Sequence, residues 1–279
     1  MRHVDDAAIS AAGACRFQSE YHYAIFEYLR SAKVIHALER AGVEVRGRVL
    51  DAGCGGGGTA LSLAEESQFA VGIDIADRFA GTGTRLGAEK HVANAGFAQA
   101  DGCRLPFRDA VFDLVFSHSV IEHVSEAEIY LAECRRVLRP GGSLYLSTAP
   151  YLSLAGSHFP RLVVPIPLHI LLGRTLAFRA YRFIARAAPF LLQEGKHGTS
   201  FIAMAAEGKQ KQDDLLQRVT VRELGGWIER SGFRRVREDR HVTGFFKHFL
   251  PGPLRRLLER TPWTQDVMIG HIECVLEKV

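Results

Sequence analysis

Acidic residues follow short apolar segments at three places in the first half of the chain. Asp51 begins the glycine-rich sequence DAGCG, and Asp74 and Asp101 follow the next two apolar segments. A carboxylate in this position can accept hydrogen bonds from both hydroxyls of a ribose, and the glycines let a ligand approach the backbone closely. The acid at Asp51 favours a cationic ligand over a pyrophosphate. We therefore expect a ligand that contains a ribose to bind here.

A parallel sheet would bring these residues together, because ligands bind beyond the carboxyl ends of its strands. The apolar spacing predicts an amphipathic helix over 19–41 before the sheet. Further helices are predicted over 59–66, 78–95, 126–138 and 220–230. Strands are predicted over 48–51, 69–73, 97–100, 111–117 and 143–148, and within 234–242 and 272–276. This alternation predicts an α/β protein with a Rossmann-like, seven-stranded, doubly wound sheet.

Residues 151–218 break the alternation of strands and helices. This segment begins apolar and rich in proline, becomes basic in the middle, and ends in a polar stretch. We expect a single domain over 1–279, with an N-terminal helical segment at 1–47 and a helical insertion at 151–218 after the fifth strand. The insertion would be a substrate lid or a cap that faces a membrane.

The segment from 48 to 150 resembles the class I methyltransferases that use S-adenosylmethionine, in particular those of the methyltransferase type 11-like group. The matching sequences are FDLVFS at 112–117, DG at 101–102, LPF at 105–107, EH at 122–123 and RVLRPGG at 136–142. No dinucleotide dehydrogenase combines these motifs. The resemblance implies S-adenosyl-L-methionine as cofactor and S-adenosyl-L-homocysteine as its product.

The resemblance also implies roles for individual residues. The backbone at Gly53 and Gly55 faces the methionine moiety, Asp51 orders its ammonium group, Asp74 holds the ribose, and Asp101 contacts the adenine amino group. The other residues expected at the cofactor are Cys54, Ile75, Gly102, Cys103 and Ser117.

Two histidines are candidates for a catalytic base. His158, just after the fifth strand, is the first candidate, and a loop histidine bonded to the backbone is the alternative. His123 is the second, and the alternative is that the Glu122-His123 pair anchors the following helix. The pair also resembles part of the magnesium site of small-RNA 2′-O-methyltransferases. Because Ser119 stands where that site has an acid, we predict no metal.

Composition limits the partners. The net charge of +4 is too small to indicate nucleic acid, and the five cysteines are few and widely spaced. They indicate a reduced, cytoplasmic protein, and the amino terminus lacks a signal-peptide pattern.

The apolar run at 162–172 is shorter than the roughly 20 residues of a membrane-spanning helix. Arginines follow it at 174, 179, 182 and 186.

These arginines predict that 159–186 contacts an anionic membrane peripherally or caps a hydrophobic substrate. The alternative is a helical lid that packs on the core or lies in a homodimer interface. We expect O-methylation of a hydroxyl on a hydrophobic or glycosylated small molecule, such as a lipid, quinone or secondary metabolite. The alternatives are N- or C-methylation, a catalytically silent cofactor-binding partner that regulates another enzyme, and an RNA methyltransferase. No basic stripe with interleaved aromatic residues supports nucleic-acid binding.

Overall fold

The computed structural model describes residues 4–16, 18–153, 161–163, 167–193 and 219–279. Its helices are α1 (Asp6–Cys15), α2 (Glu20–Arg40), α3 (Gly58–Glu66), α4 (Gly83–Glu89), α5 (Ala127–Val137), α6 (Leu168–Ala187), α7 (Val221–Arg230), α8 (Gly244–Phe249), α9 (Gly252–Arg260) and α10 (Pro262–Met268). Its strands are β1 (Arg48–Ala52), β2 (Phe69–Asp74), β3 (Ala95–Gln99), β4 (Phe112–His118), β5 (Leu138–Thr148), β6 (Arg161–Leu162), β7 (Leu192–Gln193), β8 (Phe233–Val242) and β9 (Ile269–Lys278).

Seven of these strands form one mixed sheet in the order β3-β2-β1-β4-β5-β9-β8. The pairs β1–β2, β1–β4, β2–β3 and β4–β5 are all parallel. The strand order reverses between β1 and β4, which is where an open α/β sheet leaves a crevice at the carboxyl ends of its strands. The Rossmann-like sheet predicted from the sequence is therefore confirmed.

Strand β1 lies in the middle of the sheet, and its composition fits this position. Val49 and Leu50 are fully buried, as expected for a parallel strand with both faces covered. Asp51 lies opposite Gly72 on β2 and Phe116 on β4. A Cβ at Gly72 would lie 2.9 Å from the Cys54 side chain. The absence of a side chain at Gly72 thus leaves room for the turn after β1.

Helix α2 packs directly on the beginning of α3. The contact depends on Gly58, because a Cβ there would overlap the carbonyl oxygen of Ala24 and lie 2.9 Å from the backbone nitrogen of Tyr28. Ser31 on α2 and Thr59 on α3 also join their hydroxyl groups at 3.0 Å in a buried position. The middle of α2 is therefore held against the glycine-rich turn.

Two sequence predictions need correction. The helix predicted over 78–95 is instead a 3-10 turn at Arg78–Ala80 followed by α4, which ends at Glu89. Gly81 ends the 3-10 turn, since glycine favours helical geometry least among residues other than proline, and α4 begins two residues later. Between β8 and β9 the structure has three short helices, α8 to α10, that the hydrophobic pattern did not predict.

The chain divides into two compact units. The first comprises Met1–Ser147, Gly226–Glu238 and Glu273–Val279, and the second comprises Thr148–Gly225 and Asp239–Ile272. Within the second unit, α6 packs a small apolar core made of Ala177, Phe178, Tyr181, Ala185 and Leu192. The single domain with an insertion at 151–218 stays a prediction.

Within the ranges described above, every helix is too short or too polar to cross a bilayer.

Candidate functional site

The carboxyl ends of β1 and β2 place two acidic side chains beside the glycine-rich turn. Asp51 is only 2% exposed, and its Oδ2 is buried without a hydrogen-bond donor among the described residues. Burial, and next the charges of Glu27 and Asp74, hold the pKa of the Asp51 carboxyl well above its usual range. A buried carboxylate oxygen of this kind is costly unless a donor or a cation satisfies it.

Glu27 is a third acid at this site, and it comes from helix α2. A Cβ at Gly55 would lie 3.9 Å from Oε2 of Glu27, so the carboxylate faces the turn. This Oε2 is buried and also lacks a hydrogen-bond donor among the residues described. Burial is the main reason that the pKa of Glu27 rises to about 7, while nearby Arg30 and Arg78 lower it and Asp74 raises it.

Asp74 connects the turn to the end of β2. Its Oδ2 accepts a hydrogen bond from the backbone N–H of Gly55 at 2.9 Å, and its Oδ1 accepts one from Ala76 at 2.9 Å. Arg78 lies further away, with 3.9 Å between its guanidinium and Oδ2. Each Asp74 oxygen retains a lone pair, so the carboxylate can still accept the two hydroxyls of a ribose.

The turn between β1 and α3 needs its glycines for conformation. Gly53, Gly55 and Gly57 have φ values of 95°, 52° and 86°, a region that other residues rarely adopt. The N–H groups of Gly53 and Cys54 both bond the carbonyl of Ile73 at 2.8 Å. The turn is thus tied to the end of β2, with its backbone close to all three carboxylates.

The end of β3 carries the next group of predicted cofactor residues. Asp101 is exposed, and its Oδ1 accepts the backbone N–H of Cys103 at 2.8 Å. The N–H of Ala100 donates to the carbonyl of Asp74 at 3.0 Å, which links this loop to β2. Ile75, which directly follows Asp74, is 72% exposed. An exposed apolar side chain next to an acid suits a heterocyclic base.

Tyr130 supports the ends of β1 and β4 from helix α5. Its hydroxyl donates to Oγ of Ser117 at 2.7 Å and lies 3.4 Å from the carbonyl oxygen of Ala52. A Cβ at Gly102 would lie 2.7 Å from the Tyr130 ring. Ser117 and Gly102 therefore stand at the same edge as the acids, with Tyr130 between them.

Of the two histidine candidates, the structure describes only His123. His158 lies outside the described residues. His123 ends a 3-10 turn at Ile121–His123 and is exposed. Burial of part of its ring, and next the positive charge of Arg78, lowers the pKa of His123, while Asp74 raises it. The charges of Arg78 and Asp74 both act on the His123 ring, so His123 lies near the acidic residues, and its role as a base stays a prediction.

Glu122 and His118, the residues near His123 that could also act in the site, are both held inside the fold. Glu122 is 1% exposed and points into the protein. His118 on β4 joins its Nδ1 to the Ser147 hydroxyl of β5 at 2.6 Å and stacks near Tyr145. Glu122 is therefore buried, and the His118 ring is already bonded to Ser147 within the first unit.

The edge as a whole fits a cationic nucleoside. Two buried carboxylate oxygens, on Asp51 and Glu27, meet the need of an ammonium group for acceptors. Asp74 and Asp101 stand at successive strand ends, where ribose and base would follow. Sequence reasoning did not find Glu27. Its only signal is the fourth glycine of the turn, Gly58, which allows α2 to approach.

The fold and this acidic edge resemble those of class I methyltransferases that depend on S-adenosylmethionine. A family model described as a methyltransferase domain matches residues 50–146, which run from β1 into β5. This stretch of the chain is therefore similar to a methyltransferase domain.

Sequence relatives carry methyltransferase names. Ubiquinone biosynthesis O-methyltransferase of Rhizobium rhizogenes is 33% identical over 101 residues, which cover 36% of this chain and 40% of that protein. Fatty-acid O-methyltransferase of Mycolicibacterium smegmatis is 32% identical over 162 residues, or 53% of this chain and 57% of that protein. The chain thus spans about half the length of these relatives or less.

Solved structures share the fold. An S-adenosylmethionine-dependent methyltransferase from Mesorhizobium loti has a TM-score of 0.53 at 18% identity, covering 87% of this chain and 96% of its own. The [4+2]-cyclase SpnF also has a TM-score of 0.53, at 16% identity, covering 89% of this chain and 80% of its own. Because one of these carries the name of a cyclase, the shared fold alone does not determine the reaction.

Proposed function

We propose that the protein transfers a methyl group from S-adenosylmethionine to a hydroxyl of a hydrophobic or glycosylated small molecule. The observation that carries this proposal is the acidic edge, within a matched methyltransferase domain. Asp51 would hold the methionyl ammonium, Asp74 the ribose and Asp101 the adenine. The bound cofactor supplies an activated methyl group on a sulfonium.

Oxygen as the acceptor atom is supported by the names of the relatives, which describe O-methyltransferases of ubiquinone biosynthesis and of fatty acids. Both names also favour an apolar acceptor. A hydroxyl must lose its proton during transfer, and His123 can take it because its lowered pKa keeps the imidazole neutral at pH 7. With a positioned base the expected benefit is about 10²- to 10⁴-fold. The remainder of the rate would come from holding the acceptor in line.

Methyl-labelled cofactor tests the proposal directly. The protein is incubated with labelled S-adenosylmethionine and either a total lipid extract, a polar metabolite pool or total RNA. We expect label in the lipid extract, in a product stable to mild base as an ether would be. A base-labile product would indicate a methyl ester, label in RNA would support the RNA alternative, and no label with intact cofactor binding would favour the silent partner.

His123→Gln separates chemistry from cofactor binding. If His123 is the base, the variant loses turnover by about 100-fold or more while its affinity for S-adenosylhomocysteine stays within about twofold. Equal turnover in the variant and the parent protein would remove His123 from the mechanism.

The segment 159–186 supports a second part of the proposal, a peripheral contact with an anionic membrane. Residues 161–193 contain five arginines and no acidic residue. After a kink at Gly173, helix α6 buries one face in its own core and exposes Phe183 at 71%. Leu171 before the kink and Phe190 in the turn after the helix are exposed at 68% and 77%. Apolar side chains interleaved with arginines fit the interface of an anionic bilayer.

Flotation with vesicles tests this contact. We expect binding to vesicles of phosphatidylcholine with phosphatidylglycerol, weaker binding at high salt, and none to phosphatidylcholine alone. Phe183→Ser should reduce flotation, whereas Ile129→Ser, which alters an apolar side chain that is 47% exposed on α5, should not. Protein that stays at the bottom, or a dimer that Phe183→Ser dissociates, would assign the face to another role.

A further inference from the structure

Three carboxylates converge on the glycine-rich turn from two different parts of the chain. Asp51 and Asp74 end strands within the matched domain, whereas Glu27 lies on helix α2, before the matched residues begin. Gly58 makes this convergence possible, because it lets the α2 backbone from Ala24 to Tyr28 rest on the start of α3. Glu27 lies within exactly this stretch of α2.

The cluster has more acceptor capacity than the described residues use. Oδ2 of Asp51 and Oε2 of Glu27 are both buried and without a donor among them. Asp74, by contrast, already receives two backbone N–H groups. The unsatisfied oxygens therefore belong to the pair of acids nearest the methionyl end of the predicted cofactor, and an ammonium group offers three donors.

The charges around Glu27 are unbalanced. On its own helix, Glu27 interacts electrostatically with Tyr23 and Arg30. The other charges that act on it are Arg78, from the 3-10 turn after β2, and Asp51 and Asp74, from the strand ends. The charges of two guanidinium groups thus act on three carboxylates, of which Asp51 and Glu27 each have a buried oxygen. Close, desolvated carboxylates do not all ionise near neutral pH, since each raises the cost of ionising the next.

We propose that Glu27 and Asp51 together bind the cofactor's ammonium group, and that the cofactor-free cluster holds a proton that is released to solvent when this cation enters. The inference rests on the proposed function, because it assumes that S-adenosylmethionine is the ligand. It adds a binding residue from outside the matched domain and a proton exchange that accompanies binding.

The electrostatics of the cluster support this coupling. The raised pKa of Glu27, about 7, leaves its carboxyl roughly half protonated at pH 7. The pKa of Asp51 is also raised, for the same first reason, burial. An ammonium group placed between them favours both ionised forms, so the bound proton leaves.

Calorimetry counts this proton. S-adenosylhomocysteine is titrated at pH 7 in phosphate, Hepes and Tris, whose ionisation enthalpies differ, and the slope of binding enthalpy against ionisation enthalpy gives the protons released. We expect about half a proton or more per ligand for the parent protein. Glu27→Gln should release clearly less and bind S-adenosylhomocysteine about tenfold or more weakly, as expected for a lost charged hydrogen bond.

Two controls isolate the ammonium subsite. Glu39→Gln alters another glutamate of α2 whose Oε2 is likewise buried without a described donor, and it should leave affinity and proton release unchanged. 5′-Methylthioadenosine lacks the amino-acid moiety, so it should bind parent and Glu27→Gln proteins equally and release no proton.

Each outcome bears on one claim. Binding of S-adenosylhomocysteine with a zero slope, or an equal slope and affinity in Glu27→Gln, overturns the role of Glu27 while the proposed function stands. A parallel loss of affinity for 5′-methylthioadenosine would show that Glu27→Gln only disturbs the turn, which also overturns it. Failure of the parent protein to bind S-adenosylhomocysteine at all contradicts the proposed function instead.

Discussion

The acidic edge at β1–β4 and the arginine-rich segment around α6 differ in charge and in which side chains they bury. The edge buries oxygens of Asp51 and Glu27 that lack a donor among the described residues, and its strand ends belong to the stretch that matches a methyltransferase domain, whereas Glu27 precedes that stretch. The α6 segment exposes large apolar side chains among arginines, and it lies outside the matched residues. From this comparison we expect the sheet ends to bind the cofactor, and the second unit to make the contacts that are particular to this protein.

The largest effect should follow from changing the edge at Asp74. Asp74→Ala removes the acceptor of two backbone N–H groups and of the ribose hydroxyls, so affinity for S-adenosylhomocysteine should fall about 100-fold or more. Asp77→Ala changes an exposed acid three residues later and should alter affinity less than twofold. Titration calorimetry measures both, and equal affinity in Asp74→Ala and the parent would remove Asp74 from the site.

A second test addresses how α2 reaches the edge. Gly58→Ala places a methyl group against the backbone of Ala24 and Tyr28, so it should lower the free energy of unfolding by about 1–3 kcal/mol and weaken cofactor binding. Gly81→Ala is the matched control, because its Cβ meets nothing within 4 Å at a φ of −89°. Chemical denaturation that finds the two variants alike would contradict the close packing of α2 on α3.

A third test uses pH on the cofactor-free protein. Burial raises the pKa of Glu27 to about 7 in the folded state, above the 4.5 of a free glutamate. The folded state therefore binds the proton more tightly, and this stabilising contribution is complete below pH 4.5 and is lost as pH rises through 7. Glu27→Gln should flatten the fall in melting temperature across that interval, whereas Glu39→Gln should keep it. Identical pH profiles in parent and Glu27→Gln proteins would contradict a protonated Glu27.

The smallest effect is expected from the α6 surface. Phe183→Ser replaces an exposed side chain, so the free energy of unfolding should change by less than about 0.5 kcal/mol and cofactor affinity should not change. Thermal melts with and without S-adenosylhomocysteine measure both quantities. A large loss of either would mean that this face supports the fold or the cofactor, and the contrast between the two regions would disappear.

The sequence predicted the parts of the site that follow from strand ends. Asp51 and Asp74 lie at the carboxyl ends of β1 and β2, and Asp101 follows β3. Parallel pairing necessarily brings such positions to one edge. Glu27 could not be predicted in this way, because its place depends on where a helix packs. The turn's fourth glycine is explained only when α2 is seen resting on Gly58.

Other structural elements could not be predicted correctly from the spacing of apolar residues. The prediction of one helix over 78–95 was wrong because it relied on the spacing of apolar residues and gave too little weight to Gly81, which ends the first turn. The short helices α8 and α9 have no buried residues, so no core-facing pattern marks them. His158 lies outside the described residues, and its role as a base stays a prediction.

The most direct test of the account compares two ligands that both suit a Rossmann-like sheet. Parallel calorimetric titrations of the parent protein with S-adenosylhomocysteine and with NAD⁺ ask whether the edge selects an ammonium or a pyrophosphate. The buried acids Asp51 and Glu27 predict saturable binding of S-adenosylhomocysteine and no binding of NAD⁺. Binding of NAD⁺ without binding of S-adenosylhomocysteine would contradict the central claim.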